Sequence, residues 1–443
     1  MTARRTVVAK TILLLAALVA APVYVIPPGP ATALSPGLAV TRVDELPSAA
    51  AGSAVEGALA SSSQTAFPST PSDAQATAPR VVARSALLMD AGTGRILYEK
   101  NARQRMYPAS ITKIMTALVA LEHGDLDAEV TIPRQAAGIE GSSMYLAAGE
   151  TYTLEELLYG LMLVSGNDAA TAIALHIAGS IGEFARMMNE TAKQLGATST
   201  HFANPHGLPD PNHYTTAYDM ALITRRALQI PEFRRIVATT EVEIPWRPGR
   251  AARTFVSGNW MLGQGGIDGV KTGFTQAARH TYVASATRDG RRLIAVVLST
   301  DPKSQKWADA WELLEYGYAA FEWRQVVEAG QRVTVVPVTQ GTWDRVPVKA
   351  KDGIMVPLAP GEEELLRVES ELFELEAPVE AGEIAGLIRV YHPYIAGDEP
   401  VAVIALVTEE AVERRPPTVW ERIIELLWDL WRKFSRSEPI PSS

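Results

Sequence analysis

The strongest constraint on the fold is a change of periodicity along the chain. In residues 110–124, 153–162 and 169–178 apolar residues recur at helical spacing, whereas from Ile267 to Leu298 they fall in short strand-like runs separated by tight turns. Helical segments are therefore followed by a strand meander.

Three short strings stand where these patterns start, break or end. Ser110-Ile111-Thr112-Lys113 follows Pro108-Ala109 and opens a helical segment whose apolar residues are Ile111, Ile114, Met115, Leu118 and Leu121. Lys113 is one turn beyond Ser110, a spacing that can bring an amine within hydrogen-bonding reach of a hydroxyl. The same spacing also suits a serine cap and a solvated lysine.

Ser165-Gly166-Asn167 interrupts two helical patterns, the first of them started by the capping box Thr153-Leu154-Glu155-Glu156. Short polar residues at such a break can aim hydroxyl and amide groups into a cleft, and they also make an ordinary turn. Lys271-Thr272-Gly273 ends the run from Ile267, and two further strand-like runs, residues 282–287 and 293–298, flank an Asp289-Gly290 turn. A glycine there admits a ligand's backbone, while the lysine and threonine suit an anionic terminus. A lone edge-strand lysine can equally guard against aggregation.

At 443 residues and 47% hydrophobic composition the chain is long enough for two or three domains with full cores. A net charge of −9 and the absence of a like-charge run leave no footprint for nucleic acid. Arg4, Arg5 and Lys10 precede an apolar run at residues 12–26, with small residues at 31–33, so residues 1–33 read as a signal peptide of an exported protein. An uncleaved membrane anchor is the other reading of that run. Residues 34–79, rich in Ala, Ser and Pro, cannot bury enough surface to offset their conformational entropy and read as a disordered linker. With no cysteine in the chain there are no disulfides, no thiol chemistry and no cysteine-bound zinc.

The three strings together form the signature set of penicillin-binding proteins and serine β-lactamases. With the blocks Tyr107-Pro108-Ala109-Ser110, Phe202-Ala203-Asn204-Pro205-His206-Gly207-Leu208 and Asp268-Gly269-Val270-Lys271-Thr272-Gly273-Phe274-Thr275, the chain resembles the low-molecular-weight penicillin-binding proteins that are serine-type D-alanyl-D-alanine carboxypeptidases. The likeness extends from about residue 80 to 321. It implies an α/β (α+β) catalytic domain of the DD-peptidase type over residues 80–323, with helices packed around an antiparallel sheet. Beyond it, short β-rich runs such as 332–338 and 401–407, spaced by Gly and Pro turns and only weakly similar in layout, suggest a small all-β sandwich over 324–414.

The resemblance also implies roles. Ser110 is the acyl-ester nucleophile, Lys113 its proton acceptor and Ser165 a proton relay, while Asn167 holds the substrate amide. Lys271 and Thr272 bind the terminal carboxylate, Gly273 lies with them in the substrate-binding strand, and the backbone N–H groups of Ser110 and Phe274 form the oxyanion hole. The implied partners are the peptidoglycan stem peptide and β-lactam antibiotics as inhibitors, with no cofactor and no metal. Where many relatives carry Ala-Gly after the third string, this chain has Ala278-Arg279-His280. Arg279 is read either as a solvated strand residue or as a contact for an acidic stem-peptide group, and His206 as structural.

A last segment, residues 416–436, carries Trp420, Ile423, Ile424, Leu427, Trp428, Trp431 and Phe434 along one helical stripe, opposed by charged residues. It reads as an amphipathic anchor on the outer face of the cytoplasmic membrane, a helix docked on its own domain being the alternative. Rival functions are a β-lactamase, a D,D-endopeptidase and a non-hydrolysing β-lactam sensor. The first is disfavoured because no Glu-x-x-x-Asn string stands between Asn167 and Lys271.

Overall fold

The structure, a computed structural model, describes residues 78–434 apart from residues 248 and 397, so the signal peptide and nearly all of the linker expected above lie outside the described residues. The chain divides into two compact units. The first takes the residues up to 324 together with 356–365 and 392–397; the second takes 325–355, 366–391 and the rest.

The first unit is organised by an antiparallel five-stranded sheet in the order β2-β1-β9-β8-β7, formed by β1 (Ser85–Asp90), β2 (Ile96–Lys100), β7 (Ile267–Thr275), β8 (Arg279–Arg288) and β9 (Arg291–Thr300). Successive side chains on a strand point to opposite faces, and here both faces are covered. Leu87 and Met89 of β1 join the helix-side core with Ile294, Val296 and Leu298 of β9. Ala86 and Leu88 join the opposite core with Leu293, Ala295 and Val297. That is why β9 is an unbroken apolar run instead of an alternating one.

The helices Lys113–His123, Leu154–Leu163, Asn167–Ala178 and Ala217–Ala227 contribute to the first core, and Gln305–Ala320 to the second. Two short ladders complete the unit, β3 (Glu129–Thr131) with β4 (Thr151–Thr153) and β5 (Glu241–Ile244) with β6 (Arg253–Val256).

Local signals explain where these elements begin and turn. Thr153 Oγ1 accepts the Glu156 N–H at 3.1 Å while the Glu156 carboxylate accepts the Thr153 N–H at 3.0 Å, a complete capping box. Asp289 and Gly290 both have positive φ, 48° and 75°, the backbone of a tight hairpin turn matched to strand twist, so β8 and β9 run on to the turn at both ends. Residues 356–365 belong to the first unit because Arg95, largely buried, donates to the Pro357 carbonyl and the Glu362 carboxylate, both at 2.6 Å.

The second unit is β-rich. Its six-stranded sheet has the order Arg367–Leu372, Ile384–Tyr391, Ala402–Thr408, Arg345–Ala350, Arg332–Thr339, Leu375–Glu376, with only the last pair parallel. Val346, Val348 and Ala350 alternate with more exposed neighbours, placing one face of that strand in a core. The terminal helix spans Val419–Phe434, and its Trp420, Ile424, Leu427, Trp428 and Trp431 are exposed. None of the described helices is long and apolar enough to cross a membrane.

Candidate active site

Pro108 leads into a 3-10 turn, Ala109–Thr112, that carries Ser110 and hands over to the helix starting at Lys113. Ser110 therefore lies on the tight turn before the helix, and Ala109 takes a positive φ of 52° to make the entry. Neighbouring elements fix this strained turn. Thr281 Oγ1 of β8 donates to the Pro108 carbonyl at 3.0 Å, and Thr116 Oγ1 donates to the Pro205 carbonyl at 2.6 Å. Gly207, at φ +88°, lies so close that a Cβ there would come within 2.0 Å of the Ala109 carbonyl oxygen. The Asn-Pro-His-Gly block is thus the bed on which the Ser110 turn rests.

Lys113 is fully buried. Its Nζ lies 3.1 Å from Ser110 Oγ, 2.7 Å from Asn167 Oδ1 and 2.7 Å from the His206 carbonyl oxygen. Burial holds its pKa well below the ordinary lysine value, the nearby Lys271 cation lowers it further, and Asp168 partly opposes both. All three hydrogen-bond partners are neutral oxygens.

The second string supplies Asn167 at the start of its helix. Asn167 Oδ1 accepts from Lys113 and its Nδ2 donates to the Glu140 carbonyl at 2.6 Å, so both ends of the amide expected to hold substrate are engaged within the protein. Ser165 has a positive φ of 62°, and its buried hydroxyl has no hydrogen-bond partner. The structure therefore joins Asn167 to Ser110 through Lys113 and leaves Ser165 unconnected to either.

β7 brings the third string to Ser110. A Cβ on Gly273 would fall 2.8 Å from the Ser110 backbone nitrogen and 2.5 Å from Thr281 Oγ1, so only glycine lets the strand approach this closely. Lys271 is buried and donates to the Thr272 carbonyl at 3.0 Å. Burial, and then the charge of Lys306, lower its pKa to about 7. Thr272 is half-buried, and Phe274 is exposed with its ring 4.5 Å from that of His280.

Arg279 is an exposed residue at the start of β8, as the solvated-strand reading expects. It closes the β7–β8 hairpin at φ 58° and sits 3.4 Å from Asp301 in an exposed ion pair. His206 contributes its carbonyl, while its ring nitrogen Nδ1 accepts the Leu208 N–H and burial lowers its pKa to about 3, keeping the ring neutral.

Sequence reasoning missed several participants. The carbonyls of Glu140 and His206 have no side-chain signature. Lys306, buried with its Nζ 4.5 Å from the Trp307 ring centroid, lies outside every motif yet acts electrostatically on Lys271. His213 is placed by its contacts: Nδ1 accepts the Ala203 N–H at 3.0 Å, so a neutral ring carries its proton on Nε2 and donates to Thr112 Oγ1 at 2.8 Å.

Comparison with known proteins fits this geometry. Residues 72–302 match the family model for D-alanyl-D-alanine carboxypeptidase, and residues 321–414 match that for the C-terminal domain of penicillin-binding protein 5. The D-alanyl-D-alanine carboxypeptidase DacF of Bacillus subtilis is 32% identical over 329 residues, covering 72% of this chain and 84% of its own. The structure of penicillin-binding protein 5 from Haemophilus influenzae is similar with a TM-score of 0.59 at 31% identity, over 76% of this chain and 99% of that one. Penicillin-binding protein 3 of Streptococcus pneumoniae reaches a TM-score of 0.65 at 28% identity, over 75% of this chain and all of its own, 100%. With the catalytic-domain match spanning more than half of the chain and all three strings inside it, the chain belongs to the D-alanyl-D-alanine carboxypeptidase family.

Proposed function

We propose that the protein is a serine-type D-Ala-D-Ala carboxypeptidase that removes the terminal D-alanine from peptidoglycan stem pentapeptides through an acyl-enzyme on Ser110. The observation that carries this reading is the buried Lys113 amine, 3.1 Å from Ser110 Oγ and otherwise bonded to neutral oxygens. A neutral amine has two N–H donors and one lone pair. The donors match Asn167 Oδ1 and the His206 carbonyl, which leaves the lone pair for the Ser110 proton.

In this mechanism Ser110 Oγ bonds to the carbonyl carbon of the penultimate D-alanine as its proton passes to Lys113. The Ser110 and Phe274 N–H groups take the developing oxyanion. The proton then goes to the departing amine of D-alanine, with the free Ser165 hydroxyl as relay, and water releases the shortened peptide from Ser110. Lys271 and Thr272 hold the substrate's free carboxylate. An anion bound there restores the Lys271 charge that burial disfavours, so the carboxylate is taken up together with a proton.

The purified protein should release D-alanine from a pentapeptide and accumulate a slowly hydrolysed penicilloyl adduct, read by mass spectrometry. Ser110→Ala should form no adduct, and Lys113→Ala should lose about 10² to 10⁴ in acylation rate while remaining folded. Rapid penicillin turnover would instead mark a β-lactamase, and cleavage of internal D,D cross-links without D-alanine release an endopeptidase. An adduct that forms without any peptide cleavage would mark a sensor.

The pH profile of kcat/KM has two limbs with different owners. Lys113 acts only when deprotonated, so the rate rises with pH through its depressed pKa. Lys271 attracts carboxylate only when protonated, so the rate falls as pH passes about 7. A substrate with an amidated C-terminus should keep the first limb and lose the second.

We further propose that export leaves the protein on the outer face of the cytoplasmic membrane, held by the helix Val419–Phe434. Its exposed aromatic and aliphatic stripe, at roughly 25 cal/mol per Å² buried, is the main source of interfacial binding, because its charges nearly balance. Truncation after Glu413 should leave D-alanine release intact and shift the protein from liposome-bound to soluble on flotation. Equal flotation of both forms would contradict this role.

A further inference from the structure

Beside the three strings lies a buried carboxylate that the mechanism leaves without a task. Asp168, immediately after Ser165-Gly166-Asn167, is fully buried. Its Oδ1 accepts the N–H groups of Met144 and Ala169, both at 2.9 Å. Its Oδ2 accepts the Ser143 hydroxyl at 2.6 Å and the Leu146 N–H at 3.0 Å. All four bonds are accepted, the pattern of an ionised carboxylate, and all four donors are neutral. Three of them tie down residues 143–146, which have no strand or helix of their own.

That segment is what orients Asn167. The Ser142 carbonyl accepts the Asn167 backbone N–H at 2.8 Å and the Glu140 carbonyl accepts its Nδ2 at 2.6 Å. With Nδ2 committed, Oδ1 is turned to the Lys113 amine. Arg253 grips the segment from its other side, donating to the Met144 carbonyl at 2.9 Å and the Tyr145 carbonyl at 2.7 Å. The contacts run without a gap from Asp168 through residues 140–146 to Asn167, Lys113 and Ser110.

We infer that Asp168 is a positioning residue for acylation: its carboxylate fixes residues 140–146, and through them the Asn167 amide that aims the Lys113 amine at Ser110. It touches neither substrate nor nucleophile. This rests on the serine–lysine reading above. Its second effect is electrostatic, because Lys113 is faced by the Lys271 cation from β7 and by the neutral rings of His206 and His213, and Asp168 is the anion that favours its protonated form.

The test is the second-order rate of acylation by a fluorescent penicillin, measured from acid to alkaline pH on the full chain. Asp168→Asn keeps the shape but presents an N–H₂ where two donors need an acceptor. The rate should fall roughly 10- to 100-fold. The acid limb should move to lower pH, since losing the anion weakens Lys113's hold on its proton. Ser143→Ala removes one donor and keeps the charge, so it should cost less and leave the limb in place.

A folded Asp168→Asn protein with a rate within twofold of wild type, or with a slower rate on an unmoved acid limb, would overturn the inference. If Asp168→Asn does not fold, an unchanged rate in Ser143→Ala overturns it. A wild-type protein that penicillin does not acylate would refute the serine–lysine reading itself, a separate outcome.

Discussion

Removing a cationic amine from water costs several kcal/mol unless an anion or a dense set of acceptors compensates it. At Lys113 the immediate partners are one hydroxyl, one amide oxygen and one carbonyl, with a second lysine nearby. Burial and the neighbouring Lys271 charge therefore hold its pKa well below the ordinary lysine value, so the amine gives up its proton more readily than a solvated lysine does. Much of the surrounding architecture serves that single condition. The helix buries the lysine, the bed at Gly207 and the Thr281 contact hold the turn that presents Ser110, and β7 brings in Lys271 as a neighbouring charge.

The condition opposes stability. A lysine whose pKa is depressed on folding releases a proton that the unfolded chain would keep below its ordinary value near 10.5. As pH falls below 10.5 the unfolded state gains protonation that the folded state lacks, and the cost is fully present once pH is below the folded pKa. The two-sided core of the sheet carries that cost, since apolar side chains on both faces of β1 and β9 are buried. With no disulfide available, the unit depends on this double burial.

Parts of this were legible in the sequence for definable reasons. The Thr153 capping box, the Asp289-Gly290 turn and the Ser110 to Lys113 spacing each depend on residues within four positions, and local patterns report local geometry. What was not legible depends on distance along the chain. The carbonyls of Glu140 and His206 reach the site through folding alone, and a carbonyl carries no mark of residue type. Asp168 is visible as a letter beside the second string, but its four donors become apparent only when residues 143–146 fold over it. Asn167 shows the same limit: its engagement with Lys113 and Glu140 could not be read from a three-residue string. The return of residues 356–365 to the first unit rests on Arg95 meeting Glu362, a pair separated by more than half of the chain.

The central claim is that the buried Lys113 amine gives up its proton well below the ordinary lysine range, and it can be read without turnover. Titration of ¹⁵N-labelled lysine side chains by NMR, with the Lys113 signal assigned by its loss in Lys113→Ala, reports the amine directly. The account predicts a midpoint well below the ordinary lysine value of 10.5. A Lys113 signal that stays protonated until about pH 10 would contradict it.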